Sequence, residues 1–314
     1  MLDRASSFAD PKVIALLQTR AIPVALDVWY EERRQDAAGE FYLEIAKQRD
    51  GYDPERTTQG FYICTPSGDV LSAWNNRDPA KLLRNLEHAV ESYKPADVAE
   101  IESHDDARFA RKAPDGGAVI DVFSRILEAA WPPAQDEWQA KFRSSIGRDH
   151  LWITREELTA LARGELAPTL ASRIARFHLI DNTRGEPPMW AASEVRKCEL
   201  TLTRDGDAWK LAGPVQLATA SGERGYETQL DGSIVFEGAK LARFDLVARG
   251  KFHGEGRYTQ GAPPGAFTLG IAMRLAPDST ASAVPPQAAR DLGDYLGRSH
   301  RATRSMATER QCSE

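Results

Sequence analysis

The chain has 314 residues, 42% apolar and 27% charged, and carries a net charge of −6. That length suits two domains of about 100–150 residues each, and the composition is that of a chain able to bury a core. Interspersed charges leave no basic face to neutralise a run of phosphates, which sets nucleic-acid binding aside, and no stretch approaches the roughly 18 consecutive apolar residues of a membrane span.

The cysteines, Cys64, Cys198 and Cys312, are widely spaced and three in number. This argues against a disulfide framework and against a four-ligand zinc site. A reducing, cytoplasmic compartment fits best, and the N-terminal residues do not follow the charged-then-apolar secretory pattern. No metal or cofactor is expected.

Asp10 followed by Pro11 predicts a helix start, because a carboxylate accepts the first-turn amides and proline sits where no amide is needed. Val13, Ile14, Leu16 and Leu17 then mark one stripe. Residues 22–29 are nearly all apolar and predict a strand buried on both faces of a partly parallel sheet. Ala38, Phe41, Tyr42 and Ile45 recur at helical spacing, with Gly51 as the stop. Residues 61–65 and 70–73 predict two strands, joined by the turn residues Pro66, Ser67, Gly68 and Asp69. Asp78 and Pro79 repeat the capped start, ahead of Leu82, Leu83, Leu86, Val90 and Tyr93 on one face.

Residues 96–114 predict a linker. From about Asp115 to Arg176 the pattern reads as helical, with Val119, Val122, Phe123, Ile126 and Leu127 in one stripe and a capping box formed by Thr154 and Glu157. Beyond Phe177 the period changes from 3.6 to 2. Trp209, Leu211, Val215 and Leu217 alternate with polar residues; so do Tyr226, Thr228, Leu230, Ile234 and Phe236, and later Phe267, Leu269, Ile271, Met273 and Leu275. Turns at 204–207 and 238–239 separate such runs, which predicts an antiparallel sandwich or partly closed barrel. From Pro277 onward large apolar residues become sparse, and residues 279–314 are expected to be mostly disordered, Ser299 to Glu314 above all.

Residues 6–28, SSFADPKVIALLQTRAIPVALDV, resemble the thioredoxin-like proteins, in which a helix of the form F-x-D-P-x-V-x-x-L-L leads into a strand F-V-P-V-x-x-D. Phe8, Asp10, Pro11, Val13, Leu16, Leu17, Pro23, Val24 and Asp27 fall on that pattern, and residues 60–71 look like the strand, turn and strand before the family's last helix. The resemblance covers about the first 95 residues. It implies a redox C-x-x-C whose second cysteine falls a few residues before Met1, and a central strand lying between the strand at Ile22 and the strand at Phe61. Without that neighbour, buried amides would go unpaired at about 1–3 kcal/mol each. One account is that the natural product starts upstream of Met1. A rival alignment places residues 24–29 on the central strand, with Arg33 and Asp36 at the cysteine positions and Asp27 resembling the family's buried acid. The first is preferred, since the pattern from Phe8 to Val13 fits only it.

Cys64 is the only thiol in this part and reads as a small core residue, without the close partner that two-electron exchange needs. Among His88, His104, His150, His178, His253 and His300, none sits in a metal spacing such as H-E-x-x-H. His104 beside Asp105 and Asp106 could hold a cation, although a solvated linker is the favoured account. The densest run of functional residue types is 177–188, where His178, Asp181, Arg184 and Glu186 are the candidates for a polar site; a capped turn with internal ion pairs is the favoured account there too. Gly250, Gly254 and Gly256 hint at a phosphate loop, but residues 257–259 read as strand where such a loop needs a helix. G-x-S-x-G is absent.

The expected architecture is therefore α/β plus all-β: a truncated thioredoxin-like domain (1–95), a linker and helical connector (96–176), an antiparallel β-sandwich or barrel (177–278) and a tail (279–314). The resemblance implies thiol–disulfide oxidoreductase ancestry without redox activity in this chain, the C-x-x-C being absent. A non-catalytic adaptor that uses the β-rich part for recognition is the alternative. The partner in either case is a protein, as thiol or disulfide substrate or as binding partner.

Overall fold

The computed structural model describes residues 7–56, 58–95, 106–109 and 111–298. They form two compact units, one built from the described residues up to 111 with 134–145 and the other from 112–133 with the described residues from 146 onward.

In the first unit Asp10 accepts the amides of Lys12 and Val13 and starts helix α1, Pro11–Arg20, with Pro11 in its first turn. Helix α2, Val28–Glu31, is capped by Asp27, and α3, Ala37–Lys47, by Asp36. Strands β1, Phe61–Cys64, and β2, Val70–Trp74, form an antiparallel hairpin closed by Gly68 at φ +95°. Helix α4, Pro79–Ser92, follows its Asp78 cap and buries Leu82, Leu86 and Ala89. Val13, Trp74, Leu82 and Leu86 make a small core with Leu16, Leu17, Phe61, Ile63 and Leu83 packed around it. Helix α5, Glu137–Arg143, also belongs to this unit.

The strand expected at 22–29 is not present. Residues 21–27 run without a strand partner, and Ile22, Val24 and Leu26 are 90%, 70% and 50% exposed. Apolar character suits a residue to a strand, but only a neighbouring backbone makes it one, and β1 and β2 pair with each other alone. Residues 96–105, including His104 and Asp105, lie outside the described residues. Asp106 accepts the amide of Gln35 and the guanidinium of Arg108, so its carboxylate is committed to this unit.

The second unit is a large curled antiparallel sheet, a half-barrel, of eight strands. They are β3 (Ala118–Glu128), β4 (Gly147–Ile153), β5 (Val195–Cys198), β6 (Thr201–Asp205), β7 (Ala208–Ala218), β8 (Gly225–Glu237), β9 (Lys240–His253) and β10 (Phe267–Leu275). Their order is β4-β3-β10-β9-β8-β7-β5, with β6 beside β5 on the same edge of β7. Strands β3 and β4 correct the helical reading of that region. The stripe from Val119 to Leu127 satisfies helical spacing, but Ile120, Val122, Ser124 and Ile126 alternate inward at period 2, and the β-branched residues suit a pleated surface.

Helices α6, Arg155–Ala162, and α7, Pro168–Arg173, fill the inner side: Leu161, Leu170, Ile174 and Leu179 share one buried cluster with Leu230, Phe244, Leu246 and Ile271 of the sheet. The capping box of Thr154 and Glu157 is present at the start of α6. Residues 280–298 are not a loose tail, since they fold into short helical turns ending in α8, Leu292–Tyr295, and bury Ala289 and Tyr295. Residues 299–314 lie outside the described residues. At Gly250 the β8 backbone approaches so closely that a Cβ would collide with the Glu227 carbonyl and lie 2.5 Å from Thr228 Cα. No helix follows Gly254, and residues 257–259 form only a single bridge, Tyr258 to Glu186, so this glycine run is close backbone packing and a turn.

Two predictions follow the geometry. Gly250→Ala should lower unfolding stability by about 3 kcal/mol by forcing β8 and β9 apart, measured by urea denaturation. Asp36 takes both ends of the Arg34 guanidinium at 2.7 Å, which outweighs its burial; with the amides of Asp106 and Gly39, this holds its carboxyl at about 2, below the ordinary 3.8. A depressed folded-state value adds stability above the ordinary carboxylate range that is lost as pH falls, so the first unit should weaken between about pH 4 and pH 2. Asp36→Asn should flatten that slope in thermal melts followed by circular dichroism.

Candidate functional site

The run that sequence singles out leaves α7 through a π-turn, Ile174–His178, in which the Leu179 amide reaches back to the Ile174 carbonyl at 3.1 Å. This extra residue in the turn lets Arg173, Arg176 and His178 each reach a different partner.

Arg173 is 1% exposed. Its Nη1 donates to the Trp152 carbonyl at 3.0 Å and to Glu157 Oε2 at 2.6 Å, and its Nε donates to the Tyr295 carbonyl at 2.8 Å. Burial opposes ionisation of Glu157, but the hydrogen bonds from Arg173, Thr169 and the Thr154 amide hold its carboxyl below the ordinary value. Arg176 makes a two-pronged pair with Asp294 at 2.8 and 2.7 Å.

His178 is 2% exposed, between Tyr295 Oη at 3.0 Å from Nε2 and Asp149 Oδ2 at 3.4 Å from Nδ1. Tyr295 Oη also accepts the Trp152 amide at 3.0 Å, so one hydroxyl meets both the β4 backbone and the His178 ring. An Asp–His–hydroxyl chain has the order of a nucleophile relay. Here the hydroxyl is sealed, and burial pushes the Tyr295 phenol well above its ordinary range, so this chain serves to hold α8 against β4.

Asp181 accepts the amide and hydroxyl of Thr183 at 3.0 and 2.6 Å and pairs with Arg184 at 2.8 Å, both side chains being 1% exposed. Arg184 also donates to the Thr259 carbonyl, and Asn182 bonds to Ser124 of β3. Glu186 pairs with Arg290 in a half-exposed contact. The four candidates therefore divide among three separate networks: His178 with Tyr295 and Asp149, Asp181 with Arg184, and Glu186 with Arg290. The capped turn with ion pairs describes Asp181 and Arg184.

Sequence reasoning missed Asp149, Arg173 and Tyr295. The one available signal was a lone arginine among Leu170, Ile174 and Ala175, a cation that an apolar run must match. Cys64 lies in one unit and Cys198 in the other, both partly buried. Among the described residues no group of three or more His, Cys, Asp or Glu side chains could hold a metal ion, and no helix is long and apolar enough to cross a membrane. No family model, no curated protein and no solved structure matches this chain.

A contrast checks this division. Asp181→Ala strands a buried guanidinium and should cost about 3 kcal/mol or more, whereas Glu186→Ala removes a half-exposed pair and should cost less than about 1 kcal/mol. Both are read by equilibrium denaturation of the whole chain.

Proposed function

We propose that the chain is a thioredoxin-like protein of thiol–disulfide oxidoreductase ancestry that performs no dithiol exchange itself and acts by binding a protein partner. The observation that carries this reading is that neither described thiol, Cys64 or Cys198, has a second cysteine close by in the sequence, and both are partly buried. Burial pushes Cys64 up from the ordinary thiol range, and burial likewise pushes Cys198 up against the opposing hydrogen bond from the Leu200 amide. A redox-active cysteine needs the reverse: a thiolate favoured by a cation or a helix N-terminus, with a second thiol at close spacing. The ancestry rests on the sequence pattern of residues 6–28. It gains support from the capped α1, which packs with the hairpin and α4.

Recognition by the β-rich unit is favoured by one feature. On the outward face of the sheet Phe123, Ala272 and Val247 stand side by side across β3, β10 and β9, with Val247 52% exposed and the Arg148 and Arg274 guanidinium groups over the Phe123 ring. Such a row offers an apolar contact edged by charge.

Insulin reduction driven by dithiothreitol tests the proposal: the chain should give the rate of dithiothreitol alone. Cys64 and Cys198 should react slowly with Ellman's reagent at pH 7 and faster as pH climbs past the ordinary thiol range. Catalysed insulin precipitation by this chain would overturn the proposal.

A further inference from the structure

The outward row of Phe123, Ala272 and Val247 lies between two charged rows set by the same strand register. On one side Arg125, Gly270 and Arg249 stand abreast across β3, β10 and β9; on the other stand Asp121, Arg274 and Asp245. All of these point away from the core, since the residues that alternate with them, Val122, Ile271, Met273, Leu246 and Ala248, are buried. One flank of the apolar row therefore carries two cations, and the other carries two carboxylates and a cation. Turned about a twofold axis along the apolar row, a second copy lays each flank over the opposite one. Arg125 then faces the other copy's Asp121, and Arg249 faces the other copy's Asp245, each pair being formed twice. Arg274 falls opposite Gly270, where Leu127, 49% exposed, lies against the glycine and offers apolar surface to the arginine stem. Phe123, Ala272 and Val247 meet their own equivalents at the axis.

We infer that this face pairs with a second copy of the chain through an isologous contact of sheet on sheet. The inference rests on the reading of the β-rich unit as a protein-binding surface and names its partner. Charge order is what favours a second copy, because the two flanks are each other's complement about the row. The present partners of these charges do not stand in the way. Arg249 is 3.3 Å from Glu128, Arg274 is 3.2 Å from Asp121, and Asp245 pairs with Arg243, the three arginine side chains being 61–62% exposed. Exposed pairs of this kind contribute little to a fold and can re-pair across a contact. The Asp121 side chain, 15% exposed and also 3.4 Å from His150, is more sheltered than that of Asp245, 46% exposed, so the pair of Arg249 with Asp245 carries more of the contact. Area sets the strength. Five residues along each of β4, β3, β10, β9 and β8 span a face of about 24 Å by about 17 Å, or about 400 Å². This is half of the roughly 800 Å² per partner of a stable interface, so the pair forms and parts reversibly.

Sedimentation equilibrium of the whole chain, from about 1 µM to about 500 µM, tests the pairing. The parent should approach the mass of two chains at the upper end, with a Kd of about 10–100 µM. Val247→Arg sets two cations against each other at the axis and should weaken the dimer at least about tenfold. Val247 is 52% exposed, so the melting temperature should hold. Arg249→Glu and Asp245→Lys each create a like-charge clash twice over and should stay monomeric alone. Mixed in equal amounts they should dimerise, because the mixture restores both oppositely charged pairs. The inference is overturned if the parent stays monomeric throughout, if Val247→Arg associates like the parent, or if the mixture holds no more dimer than either charge variant alone. A monomeric parent that also leaves insulin unreduced sinks the pairing and leaves the redox-silent reading standing.

Discussion

Arg173 is a permanent cation with no exposed side-chain surface, and a charge in that position must be matched on every side or the fold around it fails. The matching groups come from three places in the chain: the Glu157 carboxylate on α6, the Trp152 carbonyl on β4 and the Tyr295 carbonyl on α8. One guanidinium thereby fixes where the sheet edge, the inner helices and the final turn meet. Glu157 serves more than one partner, since its oxygens answer Arg173, the Thr154 amide at the cap of α6 and the Thr169 hydroxyl of α7. Such a pair adds little net stability over a well-packed apolar substitute; its weight lies in the cost of breaking it and in the alternatives it excludes.

The same logic runs through the rest of the polar run. Asp181 and Arg184 neutralise each other under the sheet, and His178 meets the Tyr295 hydroxyl through Nε2 while its Nδ1 faces Asp149 at 3.4 Å. Residue types that in isolation suggest chemistry are here consumed in holding a non-repetitive segment against a curled sheet, a segment whose backbone lacks the repeating hydrogen bonds of a helix or strand. Four buried side-chain atoms around this turn, Arg173 Nη2, His178 Nδ1, Asp149 Oδ2 and Trp152 Nε1, have no hydrogen-bond partner among the described residues.

Much of the architecture is legible along the chain because local chemistry dictates it. The Asp-Pro starts of α1 and α4, the Thr154–Glu157 box, the hairpin at Gly68 and the alternation of β7, β8 and β10 each need only a few neighbouring residues to be read. The failures have physical causes. Residues 22–29 carry strand character without a partner strand, and partners are not a local property. Val119 to Leu127 satisfies two periods at once, and only the pairing with β4 and β10 selects the strand. Tyr295 sits in a run poor in large apolar residues, yet it fills the space beside Trp152 and Phe177. The contact of Arg173 with Tyr295 spans 122 positions, so no pattern in either segment announces it.

If the arginine clamp organises this unit, the last turn is as firmly held as the strands beneath it. Native-state hydrogen exchange at the Trp152 amide, which donates to the Tyr295 hydroxyl, reads this directly. Protection equal to that of the central β9 amides, lost only with global unfolding, is the predicted result. Exchange through a low-energy local opening, while β9 stays protected, would contradict it.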